Sequence, residues 1–278
     1  VSGFTTNISG SLQGLHRLQA NRNDLSLSLT RLSTGSMINR GADNPAGLIS
    51  STQLQSALAF LEAENQSYQR YDQIANTAEA SLDEVSGLLS ETQGLKVQLA
   101  NTGALGEGEQ AAIQLQIDAN TQAIDRITSS AQFNGQLLFD GSMSLSIGDA
   151  TLDLPSLSSN GIGATEIDGT TYDLSDTASG GALTDAPSAS SLILSNAISE
   201  IASLRGQIGA FQKDTIASSL TSNHLAYESI AFAGSQIADT DFASETANLI
   251  RSQILNTASI KAMGILNQTP GDLLDLLP

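Results

Sequence analysis

The chain has 278 residues, a formal net charge of −18 and a pI near 4.1, so a nucleic-acid backbone or an anionic membrane surface would repel it. Aromatic residues make up only 4% and tryptophan is absent, which argues against a compact enzyme core and for long, thin helix packing built on Leu, Ile and Ala. Cysteine is absent too, excluding disulfides, thiolate metal ligands and a thiol nucleophile.

Residues 1–33 read as a weakly amphipathic helix in which Leu18, Leu25, Leu29 and Leu32 stand 7, 4 and 3 apart, a single stripe of the coiled-coil kind. Thr34 and Gly35 supply a stop, Asn44 a cap, and Pro45 opens the next helix at the position where a missing N–H costs nothing. That second helix is predicted over 45–101, its stripe carried by Leu54, Leu58, Leu61, Tyr68, Ala75, Leu82, Val85, Leu89 and Leu99. At a helical rise it would be roughly 80 Å long, and a helix of that length must lie against others. Asn101-Thr-Gly103 and Gly106-Glu-Gly108 break it, and Ile113, Ile117, Ile124 and Ile127 mark a third helix ending before Asn134-Gly135.

Residues 134–190 change character. Gly, Ser, Thr and Asp clusters surround short alternating runs such as Leu145-Ser-Ile147 and Thr151-Leu-Asp-Leu154, and residues 141–191 hold seven acids with no Lys or Arg. This reads as a small solvated β element between two helical halves, with a partly disordered acidic linker as the alternative. Near 192 the helical pattern returns: Leu194, Ile198, Ile201, Leu204, Ile208 and Phe211 lie 4, 3, 3, 4 and 3 apart, and weaker positions continue to about Gln236. After Ala238-Asp-Thr-Asp-Phe242, with Asp239 or Asp241 as cap, a final helix is predicted to about Asn267 with Ile250, Ile254 and Ala258 on one face. The expected fold is mainly α: an elongated bundle of long coiled-coil-like helices formed by both chain ends, with a small β-rich insert in the middle.

No constellation of side chains suggests catalysis. His16 and His224 are the only histidines, neither has a second histidine four residues on, and no His-Glu-x-x-His, phosphate loop or Gly-x-Ser-x-Gly elbow occurs. The acids Asp149, Asp153, Asp168, Asp173 and Asp176 fit no EF-hand spacing and read as a solvated, self-repelling face. No enzyme, cofactor or metal is expected. No run approaches about eighteen consecutive apolar residues, and the first twenty or so lack the basic start and apolar core of a secretory signal, so export would need another route.

Seven segments, in order, resemble the bacterial flagellins: Leu25 to Gly47, Ala80-Ser-Leu-Asp-Glu-Val85, Val97-Gln-Leu-Ala-Asn101, Ile124 to Gly135, Leu204-Arg-Gly-Gln-Ile-Gly-Ala210, Ile237-Ala-Asp-Thr-Asp-Phe-Ala243 and Gln253-Ile-Leu255. The resemblance covers roughly residues 1–140 and 190–278. It implies a structural subunit that self-polymerises into the helical, extracellular filament of the flagellum for motility, exported through the flagellar secretion channel. It implies an inner-core helix and loop over 1–44, shell helices over 45–133, an outer β/loop insert over 134–190, a returning shell helix over 191–238 and a C-terminal inner-core helix over 239–278. The implied partners are other copies of the chain, a secretion chaperone, the filament cap and hook-junction proteins, with no nucleic acid and no membrane insertion. A hook–filament junction protein and a secreted helical adhesin are the alternative readings.

The expected subunit interface has apolar faces at Leu18, Leu25, Leu29, Leu32, Ile250, Ile254 and Ala258. Arg31, Asn39, Arg40, Asp43 and Asn44 around the first turn either make polar contacts between subunits or simply cap and solvate a loop. The resemblance also places Glu91 where flagellins recognised by the animal innate receptor carry an arginine, while the neighbouring leucine is kept as Leu95. An anion in place of a cation weakens a charge-paired contact, so activation of that receptor is expected to be poor. A reporter-cell response equal to that of a potent flagellin would refute this.

Overall fold

The computed structural model describes residues 2–100, 105–178 and 186–274. Helix α1 (Ser2–Thr34) stops where Gly35 turns to φ 71° and returns its N–H to the Arg31 carbonyl at 2.8 Å. A glycine takes this left-handed stop without strain. Helix α2 (Pro45–Leu99) starts as its sequence dictates, with Asn44 Oδ1 accepting the Gly47 N–H at 2.9 Å and Pro45 in the first helical position. Helix α3 (Glu107–Ser130) follows. The break expected at 101–103, Val1 and residues 275–278 lie outside the described residues.

Three antiparallel hairpins come next: β1 (Gln132–Phe133) with β2 (Gln136–Leu137), β3 (Ser144–Ile147) with β4 (Ala150–Asp153), and β5 (Thr165–Ile167) with β6 (Thr170–Tyr172). Asn134-Gly135 and Asp168-Gly169 both have positive φ at each residue, the conformation a two-residue type I′ turn demands. Helix α4 (Pro187–Ala210) then passes through a π-helical turn, Phe211–Ile216, into α5 (Ala217–Ala238), and α6 (Phe242–Leu274) closes the chain. The last helix runs beyond the predicted Asn267 and through Pro270, which removes one helical hydrogen bond but does not by itself end a helix.

The π turn explains why the apolar stripe fades after Phe211. Phe211 and Ile216 are both buried although they lie five residues apart, because one wide turn advances the buried face by an extra residue. Beyond it, Leu220 rejoins the stripe at α-helical spacing.

The chain divides into two units, residues 62–225 and residues 1–61 with 226–278. The central unit has a closed apolar core: Leu82, Val85 and Leu89 of α2, Ile124 of α3, and Leu194, Ile201 and Ile208 of α4 are fully buried. Leu138, Leu145, Leu154, Ile162 and Leu174 join them, so the hairpin region turns its alternate residues into the helical core rather than into a core of its own. Polar anchors fix it there. Asp125 accepts both the Ser159 N–H at 2.7 Å and its hydroxyl at 2.8 Å, and Glu200 accepts the Gly163 N–H at 2.9 Å. Between α4 and α2, Arg205 reaches Glu79 and Asp83 at 2.8 Å each. A buried polar seam links α2 to α3, with Lys96 donating to Gln114 at 3.4 Å and Asn120 to Thr92 at 3.4 Å.

In the terminal unit α1 and α6 run antiparallel. Arg31 meets Glu245, Asn21 donates to Ser259, and Gly14 lies against Met263, so partners step backwards along α6 as they advance along α1.

Gly163 combines two constraints of the central unit. Its φ is +73°, and a Cβ there would sit 2.6 Å from the Ile193 carbonyl oxygen and 2.9 Å from Ala197 Cβ on α4. Gly163→Ala is expected to lower stability by at least about 1–2 kcal/mol from the left-handed backbone alone, with the backbone clash adding to it. The denaturant midpoint of the central unit is the check.

Candidate functional site

The features that set the terminal unit apart are the joint between its two interhelical loops and the surface of its helix pair. Residues 35–44 leave α1, and residues 239–241 connect α5 to α6. Though more than two hundred positions apart in sequence, Ser36 and Asp239 form an antiparallel bridge. Met37 donates its N–H to the Ala238 carbonyl at 2.7 Å, Thr240 donates to the Gly35 carbonyl at 2.9 Å, and the Ser36 hydroxyl adds a bond to Ala238 O at 3.2 Å. Asp241 is the cap of α6, accepting from Ala243 N at 3.0 Å, which decides between the two acids predicted for that role.

The polar residues singled out in the first loop fold it. Asp43 Oδ2 accepts the backbone N–H of Asn39 at 2.9 Å and of Arg40 at 2.8 Å, and Asn39 donates its side-chain amide to Ser36 O at 2.7 Å. Arg31 donates Nε to the Met37 carbonyl at 3.2 Å and pairs through a terminal nitrogen with Glu245 at 3.7 Å. Asn44 caps α2. The Arg40 side chain is exposed and, with Asn23, Ser26, Thr30, Asn39 and Asp43, lines a polar recess of about 230 Å³ against α1. Glu245, 7% exposed, belongs to this site and escaped the sequence reading, because only its neighbour across space gives a lone acid in a helix a role.

The apolar residues divide differently. Leu18 is 8% exposed, Leu25 and Leu32 are half-buried, and Leu29 is 51% exposed, so the predicted stripe is not the seam between α1 and α6. Ile250 and Ala258 are exposed and Ile254 is 63% exposed. Among the described side chains of the terminal unit, Leu18 is the only large apolar one that is buried; the other buried residues are Ser28, Gly47, Ser51, Thr240, Glu245 and Ser252. Against these stand fourteen exposed large apolar side chains, including Leu12, Leu15, Phe60, Phe232 and Ile265. Most of the fully buried positions are small or polar, Leu18 apart, and many of the large hydrophobes face outward.

In the central unit Glu91 is exposed and accepts from Gln116 Nε2 at 3.0 Å, while Leu95 is 8% exposed. Among the described residues, no group of three His, Cys, Asp or Glu could hold a metal ion and no helix is long and apolar enough to cross a membrane.

The backbone N–H groups of Asn39 and then Arg40 hold the Asp43 carboxyl below its ordinary 3.8, with the charges of Arg31 and Arg40 acting the same way. A carboxyl depressed on folding stabilises the folded loop above its unfolded pKa and loses that contribution as pH falls through the folded one. The loop is therefore expected to loosen below about pH 4. Amide exchange at Asn39 and Arg40, followed as the pH falls, is the check, and Asp43→Ala should give fast exchange at neutral pH.

Comparison with known proteins agrees with this architecture. A family model described as the bacterial flagellin N-terminal helical region matches residues 5–144, and one described as the C-terminal helical region matches residues 192–277. The chain is 27% identical over 296 aligned positions to a flagellin of Bacillus subtilis, covering 96% of this chain and 97% of that one. It is 30% identical to a flagellin of Halalkalibacterium halodurans, covering 92% and 93%. A flagellar filament 30.7 kDa core protein of Treponema maltophilum is 25% identical, covering 96% and 97%. Matched in both helical halves, and along nearly its whole length by such relatives, the chain belongs to the bacterial flagellin family and is a structural subunit of the flagellar filament.

Proposed function

We propose that this chain leaves the cell through the flagellar secretion channel and polymerises there through the outward faces of α1 and α6. The observation that carries the reading is the α1–α6 pair of the terminal unit: among its described side chains one large apolar group, Leu18, is buried against nine that are exposed. Each such side chain contributes about 1.5–3 kcal/mol when fully covered, and an isolated helix pair leaves that contribution unused. Repeated heterologous contacts between copies cover such faces and, where they do not close a ring, generate a helical polymer. Leu25, Leu29, Leu32, Ile250, Ile254 and Ala258 then supply the apolar part of the interface and Arg40 a polar part, whereas Leu18, 8% exposed, is already covered within the chain.

Before assembly the same faces call for a partner that shields them, which fits a secretion chaperone, and the two ends of the polymer call for a cap and a hook-junction protein. Glu91 belongs to the same reading: an exposed anion in the place of the arginine that the receptor contacts, beside a Leu95 turned inward. Glu91→Arg is expected to raise receptor activation.

Seeding the purified chain with short filament fragments, followed by electron microscopy and circular dichroism, tests the central claim. Long filaments are expected. Leu29→Asp and Ile254→Asp should each raise the critical concentration about tenfold or more, as the loss of about 1.5–3 kcal/mol requires, while the melting of the central unit is unchanged. Persistent monomers would favour the junction protein, and ligand binding by a soluble monomer would favour the adhesin.

A further inference from the structure

We infer that Arg31 and Glu245 are a positioning pair for assembly: they hold the two loops of one chain in register, and Arg31 acts through that joint rather than by touching a neighbouring copy. The inference rests on the filament reading above and assigns one of its expected interface residues a different task.

The geometry is specific. Arg31 lies in the last turn of α1 and Glu245 in the first turn of α6. The guanidinium is used twice within the chain, through Nε on the Met37 carbonyl at 3.2 Å and through a terminal nitrogen on Glu245 at 3.7 Å. One side chain thereby spans the end of α1, the strand-like residues that follow it, and the start of α6. Glu245 is nearly buried, so removing its cation would leave an uncompensated carboxylate with little access to water.

The bridge beside this pair needs such support. It consists of one pair of facing residues flanked by two backbone hydrogen bonds, far fewer than an independently stable hairpin has. The apolar residues next to it, Met37 and Phe242, are exposed and add little burial. The bridge fixes the end of α1 to the start of α6, the ends nearest the exposed Leu29 and Ile250. In a polymer every subunit repeats the same contact, so a small error in that alignment is repeated with it.

A disulfide can separate positioning from contact, because the chain contains no cysteine. Ser36 and Asp239 face each other as a pair whose neighbours, not themselves, exchange the backbone bonds. The Cα atoms of such a pair lie about 4.5 Å apart, within disulfide range. In seeded assembly of the full chain, Arg31→Ala and Glu245→Gln are each expected to raise the critical concentration about tenfold, the loss of one nearly buried ion pair.

In the Ser36→Cys/Asp239→Cys background, oxidation should return the Arg31→Ala chain to within about threefold of the oxidised parent, because the covalent link supplies the register, and reduction should restore the defect. A defect that survives oxidation, or single variants that assemble like the parent, would overturn the inference and leave the filament reading intact. If the cysteine pair itself impairs assembly, the double variant Arg31→Glu/Glu245→Arg decides: assembly better than either single variant supports the pair, and none better overturns it. A native chain that forms no filaments overturns the filament reading and this inference with it.

Discussion

A helix pair whose buried positions are mostly small or polar leaves many of its own hydrophobes in water. In the terminal unit Ser28, Ser252 and Glu245 occupy the buried positions, while Leu29, Ile250 and Ile254 stand in water. Small groups at a seam add little apolar burial between two helices, whereas Leu and Ile supply much of it. The usual distribution of apolar and polar residues is thus reversed there, which is what the proposed assembly surface rests on. A subunit built this way has reason to remain incomplete until other copies surround it, because most helical stability comes from packing rather than from propensity.

The central unit obeys the opposite rule. Its helices and hairpins close around one core in which Leu82, Leu145 and Leu194 are buried together, with Asp125, Glu200 and Arg205 tying the layers by directed bonds. The two units also differ in charge. The terminal unit has six Lys and Arg against eight Asp and Glu, a net of −2; the central unit has five against twenty-one, a net of −16. A near-neutral surface can be packed densely among copies without strong self-repulsion, and a strongly acidic one favours contact with water. Exposed apolar area and low charge thus coincide in one unit, and a closed core and high charge in the other.

The joint is where the terminal unit depends on chain topology. Gly35, Asn44 and Asp241 end or begin helices by local chemistry, yet their loops meet only because α1 and α6 lie alongside each other. Asp43 shows the division of labour. Its carboxylate folds its own loop by accepting two backbone N–H groups, and that leaves Arg31 to reach outward to Met37 and Glu245.

What the sequence by itself determined follows from short-range rules. Helix starts and stops were legible because caps, Pro45 and Gly35 act within a few residues, and the α2 stripe because Leu82, Val85 and Leu89 repeat at helical spacing. The β3–β4 hairpin was legible as alternation, whereas the turn at Asp168, read only as part of an acidic face, emerged with its positive φ. The tertiary structure alone decided which apolar face is covered, since periodicity defines a stripe without naming its partner, and Leu18 and Leu29 on one stripe end with opposite exposure. It alone decided that the hairpin residues join the helical core, that a π turn shifts the register after Phe211, and that Ser36 meets Asp239 and Arg31 meets Glu245. The last two are pairings between segments more than two hundred residues apart, and no local propensity encodes them.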